Sequence, residues 1–188
     1  MYQTDQGTNF GKWTDTISQF MYQSSTKDIL NLISIPNKVA DYGGANGNMK
    51  SYIPNLITID IDGTKNPDIH DNIINHKGEY DLIIIRYVLH YLNDYEVLEL
   101  FNNIKQYHKG QVLIIQFTNE DLKSKYKNSI NEFKYFRTEN QLEELLPHFT
   151  KIYTKDYKVT KEFYLNRLNN PNGINHQETL NGYLINYD

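Results

Sequence analysis

The chain has 188 residues, a formal net charge of −4 and no cysteine. That length suits one domain and can bury a core without covalent staples. The missing thiol excludes disulfide scaffolds, thiolate zinc sites and cysteine nucleophiles, and the mild acidity speaks against coating nucleic acid by bulk charge.

No apolar run approaches the roughly 18 residues that cross a bilayer. The N-terminal MYQTDQGTNFGKW lacks the basic start and apolar block of a signal peptide. A cytoplasmic protein without a membrane partner is the expectation.

In chain order, residues 12–22 and 26–34 read as two short helices. Ser25 with Asp28 three places on opens the second, and Pro36 ends it. Residues 1–36 thus read as an N-terminal helical lid and 37–188 as one core. KVADY (38–42) is a strand that stops at Gly43-Gly44-Ala45-Asn46-Gly47, with a short helix to Tyr52. LITIDI (56–61) is a second strand and Ile69 to Ile73 a short third. DLIIIR (81–86) is an apolar run, as in a strand covered on both faces.

Asn93 with Glu96 opens a helix whose stripe is Val97, Leu100, Phe101, Ile104 and Tyr107. Gly110 follows as a left-handed closing residue. QVLIIQF (111–117) is another buried strand. Thr138 and Gln141 cap a helix that ends before Pro147. Residues 150–165 and Tyr183 to Tyr187 complete the strands, with a turn at 169–173, as an antiparallel pair added to a parallel sheet. The alternation of strands and helices predicts an α/β three-layer sandwich.

The segment VADYGGANGNM (39–49) carries the most chemistry. A strand ends in an acid, Asp41, and a glycine turn leads into a helix start. Glycine permits positive φ and close approach of a ligand to the backbone. The dinucleotide fingerprint fits poorly, because its second and third glycines fall on Ala45 and Asn48. A carboxylate beside the turn would repel a pyrophosphate and suits a cationic or amine-bearing ligand. Asp60 ends the second strand 19 residues after Asp41. An acid there is placed to accept from a ribose diol, with Asp62 as its rival.

With these residues the chain resembles the class I methyltransferases that use S-adenosyl-L-methionine. Their pattern of acid-x-Gly-x-Gly-x-Gly reads here Asp41-Tyr42-Gly43-Gly44-Ala45-Asn46-Gly47, with Ala45 at the middle glycine. The resemblance covers about residues 38–117. It implies a Rossmann-like, seven-stranded, mostly parallel sheet in the order 3-2-1-4-5-7-6, with an antiparallel C-terminal strand. It also implies that Asp41, Gly43, Gly44, Ala45 and Gly47 cradle the methionine part of the cofactor. Asp60, with Ile61 beside it, then holds the ribose. NPDIHDNI (66–73) matches the third-strand segment, so Asn72 is the adenine contact and Asp71 the alternative. EYDLIIIRYVLHYL (79–92) matches the fourth-strand segment, whose end lines the transfer cleft.

The cleft candidates are Arg86, Tyr87, His90 and Tyr91, then Phe117, Thr118 and Asn119 after the fifth long strand. Methyl transfer from a sulfonium is an in-line displacement that depends on alignment. His90 is the base where the nucleophile carries a proton. Arg86 suits an anionic group or caps the strand end. No Asn/Asp/Ser-Pro-Pro-aromatic motif follows the fourth strand, which disfavours exocyclic amines of DNA bases. The absence of cysteine excludes cytosine-C5 transfer.

Asn9-Phe10-Gly11-Lys12-Trp13 and Arg86-Tyr87-Val88-Leu89-His90-Tyr91 resemble segments of mRNA cap guanine-N7 methyltransferases. That likeness implies substrate contacts by Phe10, Trp13, Tyr87, His90 and Tyr91, with rings stacked on a base. Two departures stand out: Asp15 and Asn46 occupy positions where that family carries lysine. A basic stretch, Lys123, Lys125, Lys127, Lys134 and Arg137, is expected at the cleft rim, and Lys151, Lys155, Lys158, Lys161 and Arg167 follow. RNA cap guanine-N7 transfer is therefore the leading expectation. A small-molecule O- or N-acceptor is the alternative. An inactive cofactor-binding partner of another protein is a third.

Overall fold

The structure, a computed structural model, describes residues 23–118, 135, 137–159, 162 and 176–187. The helix expected over 12–22, most of residues 160–165 and the turn at 169–173 lie outside these. So do Phe10, Trp13, Asn119, Lys161, Arg167 and the lysines of the 121–134 stretch.

Seven strands form one sheet in the order β3-β2-β1-β4-β5-β7-β6. They are β1 (Val39–Tyr42), β2 (Ile57–Asp60), β3 (Ile69–His70), β4 (Leu82–Arg86), β5 (Gly110–Phe117), β6 (Thr150–Val159) and β7 (His176–Tyr187). The first five are mutually parallel. β7 runs antiparallel to both β5 and β6. The strand order, the parallel core and the antiparallel C-terminal pair match the sequence expectation. Most strands are shorter than the sequence suggested, whereas β7 is longer.

Helix α1 (Gln23–Leu30) lies on one face, and α2 (Asp94–Tyr107) with α3 (Glu139–Leu145) on the other. Strand parity explains this. In β4, Leu82 and Ile84 join the core with Ile29 and Leu30 of α1. Ile83 and Ile85 join Val97, Leu100, Phe101 and Ile104 of α2. All four β4 residues are fully buried, so the run is continuous rather than alternating.

The local start signals of α2 and α3 hold. Asn93 accepts from the Glu96 backbone N–H at 3.0 Å while Glu96 accepts from that of Asn93 at 2.7 Å. Thr138 and Gln141 form the same reciprocal pair at the start of α3.

Ser25 is a correction. It lies inside α1, fully buried, and its hydroxyl bonds the Tyr153 hydroxyl at 2.8 Å and that of Tyr157. A cap forms only where its own helix N-terminus is free; here the partners from β6 claim the side chain. The helix ends at Leu30, well before Pro36. Gly110 is a second correction. His108 closes α2 by donating its backbone N–H to the Ile104 carbonyl at 2.8 Å. Gly110 opens β5 at φ +146°, where a Cβ would collide with the carbonyl oxygen of Asp81. The glycine serves a close strand approach rather than a helix end.

Chemical denaturation should find Asn93→Ala about 1 kcal/mol less stable than the parent, the ordinary worth of a cap. Gly110→Ala should cost more, because it meets backbone and cannot relax by turning a side chain.

Candidate active site

The carboxyl ends of β1, β2 and β4 bring together Asp41, Asp60 and Arg86. Their positions follow from parity. Asp41 and Arg86 each fall two places after residues that face α1, Val39 and Ile84. Burial pushes the Asp41 carboxyl up to about 7, against the pull of the Arg86 guanidinium and with the help of the Asp60 charge. Asp41 is thus poised to lose a proton when a cation arrives.

The turn beyond Asp41 is tightly constrained. Gly43 and Gly47 both sit at φ +74°. A Cβ on Gly44 would stand 2.9 Å from Asp41 Oδ2. The Gly43 N–H donates to the Ile59 carbonyl at 2.8 Å. Ala45, at the middle-glycine position, adopts φ +43°, a left-handed conformation that costs an L-residue about 1–2 kcal/mol. Its N–H donates to Asp60 Oδ2 at 2.9 Å, which holds it there. The helix expected up to Tyr52 is a single 3-10 turn over Asn48–Ser51.

Asp60 also accepts from the Asp62 N–H at 2.8 Å through Oδ1. Its rival Asp62 is turned away, capping the next turn through Thr64 N at 3.0 Å and Thr64 Oγ1 at 2.6 Å. These bonds hold the Asp62 carboxyl below the usual range. The Ile61 carbonyl is bonded to His70 Nε2 at 2.9 Å. Beyond β3, Asn72 Oδ1 accepts from the Ile74 N–H at 3.0 Å. Asp71 Oδ2 accepts from His76 Nδ1 at 2.8 Å.

The tip of β4 is aromatic. Tyr87 takes φ +58°, rare for a bulky residue. Its ring stacks on Phe117 of β5, 5.1 Å between centroids and 8° from parallel. The Arg86 guanidinium lies 5.6 Å from the Tyr87 ring centre. His90 and Tyr91 sit in a 3-10 turn over Leu89–Tyr91. His90 is fully buried, its Nε2 3.4 Å from the Phe117 carbonyl. Burial, with the Arg137 charge adding to it, lowers its pKa to about 3.

Arg137 is a correction. It is only 4% exposed and is not part of a basic rim. Its guanidinium donates to the Leu89 and Leu92 carbonyls, both at 2.8 Å, and to Asp94 Oδ1 at 2.7 and 2.9 Å. Together with the Tyr135 N–H bonded to the His90 carbonyl at 3.0 Å, it clamps the 89–94 segment. No local signal separates Arg137 from its lysine neighbours in the sequence. Lys151, from the second basic stretch, is paired with Glu139 at 2.8 Å.

Comparison with known proteins bears on this geometry. The family profile described as a methyltransferase domain matches residues 6–155. No curated protein sequence matches the chain. In structure the chain is similar to TehB from Haemophilus influenzae, with a TM-score of 0.61 and 20% identity, over 93% of this chain and 66% of that one. It is also similar to magnesium protoporphyrin IX methyltransferase from Synechocystis PCC 6803, solved with bound SAM, at TM-score 0.59 and 13% identity over 95% and 91%. A possible histamine N-methyltransferase from Thermotoga maritima gives 0.59 and 14% over 93% and 94%.

Two opposed pH effects on stability follow. Asp41 binds its proton more tightly folded than unfolded, so its contribution is lost as pH rises from about 3.8 through about 7. His90 binds its proton less tightly folded, so its contribution is lost as pH falls from about 6.5 towards 3. Between about pH 4 and 6.5 the two slopes oppose each other. Thermal melts across that window should show His90→Gln losing stability with rising pH relative to the parent, and Asp41→Asn gaining it.

Proposed function

The chain belongs to the methyltransferase-domain family and is an S-adenosylmethionine-dependent methyltransferase; we propose that its acceptor is a small polar molecule held at the tips of β4 and β5. The residues present fit the cofactor. A buried carboxyl that gains from a nearby cation stands against a glycine turn with no room for a Cβ at Gly44. Asp41 and the 43–47 turn bind the amino-acid end, Asp60 with Ile61 the ribose, and the Asp71–Asn72 pair the base. Bound S-adenosylmethionine supplies an electrophilic methyl group on a sulfonium.

The observation that carries the acceptor reading is a polar, uncharged cluster at the carboxyl end of β5. Gln116 is fully buried, and both ends of its amide lack partners among the described residues. Asn181, its register partner on β7, donates to Thr118 Oγ1, while its Oδ1 is likewise unpartnered among the described residues. Buried amides left open cost about 1–3 kcal/mol each, a cost that a hydrogen-bonding acceptor recovers. They suit a molecule small enough to enter the fold. The relatives named for magnesium protoporphyrin IX and histamine agree with a small acceptor. Arg86 offers a fork to an anionic group of it.

His90, neutral across physiological pH, is a weak base. It shapes the pocket with Tyr87 and Tyr91, and the acceptor atom is one that needs no strong base. That leaves cap guanine-N7 as the second reading, since guanine N7 carries no proton. It rests on the Arg86–Tyr91 segment together with Phe10 and Trp13. It loses support from Arg137, which is committed to the interior.

Radiolabelled cofactor should be offered with capped RNA and with a panel of small amines, phenols and carboxylates. Transfer to a small acceptor is expected. Label on the cap at micromolar enzyme would replace the first reading with the second. Cofactor affinity with no transfer to any acceptor would favour a partner-subunit role.

Calorimetry should also find cofactor affinity rising between about pH 5.5 and 7, as Asp41 ionises to accept the cofactor ammonium. Asp41→Asn should bind more weakly and without that slope.

A further inference from the structure

Behind Asp71 lies a hydrogen-bonded series that the proposed transfer does not use. Asp71 Oδ2 accepts from His76 Nδ1 at 2.8 Å, and His76 Nε2 lies 3.0 Å from the Tyr80 hydroxyl. A carboxylate cannot donate, so Nδ1 carries the proton, and in the neutral ring Nε2 accepts from Tyr80. Burial and the Asp71 charge raise the Tyr80 pKa, which keeps that hydroxyl a donor. The His76 and Tyr80 rings stack at 6.0 Å, and Tyr42 of β1 meets them edge-on at 5.7 and 6.3 Å. The His76 carbonyl accepts from Asn103 Nδ2 of α2 at 2.7 Å. The His76 side chain is 9% exposed, whereas that of Asp71 is 45% exposed.

We propose that His76 is a positioning residue for base recognition, holding the open carboxylate of Asp71 as an acceptor for the 6-amino group of the cofactor's adenine. This rests on the cofactor reading above. Asp71 is held from behind by His76 and from the side by the Asn72 N–H at 2.8 Å, and its carboxylate still reaches solvent. Asn72 complements it. Its amide Oδ1 accepts from the Ile74 N–H, and its NH2 supplies two donors. An acceptor beside a donor matches the amino group and ring nitrogen of adenine, in that order. The acid therefore takes the amino group and the amide the ring nitrogen.

The test compares two ligands by calorimetry: S-adenosylhomocysteine and its analogue lacking the 6-amino group. The parent should prefer the adenine ligand by about tenfold or more, the usual worth of a hydrogen bond to a charged group. His76→Phe keeps a ring between Tyr42 and Tyr80 but removes the donor. It should shrink the preference to within about threefold. His76→Asn returns a donor near the Nδ1 position and should recover part of it. Thermal melts without ligand check that each variant folds. Should His76→Phe fail to fold, Tyr80→Phe removes the far support and should lower the preference by a smaller factor.

Asp71→Ala separates the failures. Loss of the preference in Asp71→Ala with full preference in His76→Phe would overturn the positioning role alone. Full preference in Asp71→Ala would overturn the adenine contact itself. Equal weakening of both ligands in His76→Phe, with the preference intact, would reduce His76 to a packing residue and also overturn the proposal.

Discussion

The central strands are covered on both faces, so they carry charge only towards their carboxyl ends. β1 is buried throughout its length, and β4 is buried from Leu82 to Ile85. An ionisable group within these strands would lose its water on both sides, at a cost that burial of apolar carbon could not offset. Asp41, Asp60 and Arg86 stand where that coverage ends. The same coverage explains why Asp41 holds its proton so far up the scale: it is the last residue but one of a buried strand and is itself only 3% exposed. Its chemistry is a product of where the sandwich stops.

The tip of β4 shows the complementary constraint. Tyr87 sits in a left-handed backbone conformation that its side chain disfavours. Such a conformation persists only if its surroundings over-determine it. Here they do: its N–H donates to the Ile115 carbonyl at 2.9 Å, its ring lies flat on Phe117, and Arg137 ties down the following turn. A buried guanidinium is costly unless its donors are met, and those of Arg137 reach three carbonyls and a carboxylate. The carboxylate, on Asp94, is 72% exposed, so much of the value of the clamp lies in the carbonyl bonds. The result is a pre-shaped aromatic tip held by contacts from β5 and from Arg137.

Much of the fold was legible in the sequence because its signals are local. Apolar runs marked β4 and β5. The Asn93/Glu96 and Thr138/Gln141 pairs marked helix starts, because a capping box closes within four residues. Asp41, the glycine turn and Asp60 were legible for the same reason, being strand ends followed by turn residues. Where a local signal misled, a distant partner had claimed the side chain. Ser25 has the composition of a cap, yet its hydroxyl bonds a tyrosine 128 residues away.

What the sequence by itself determined is the periodicity of burial, and through it the strand set, the two-faced sheet and the carboxylates at the strand ends. Those follow from hydrophobic parity and backbone capping, which act over a few residues. The tertiary structure alone decided that Arg137 is an internal clamp across 43 residues, that Asp62 turns away while Asp60 faces the glycine turn, and that His76 stands behind Asp71. Each depends on desolvation and on hydrogen-bond geometry between segments. Those quantities exist only once the sheet has brought the segments together.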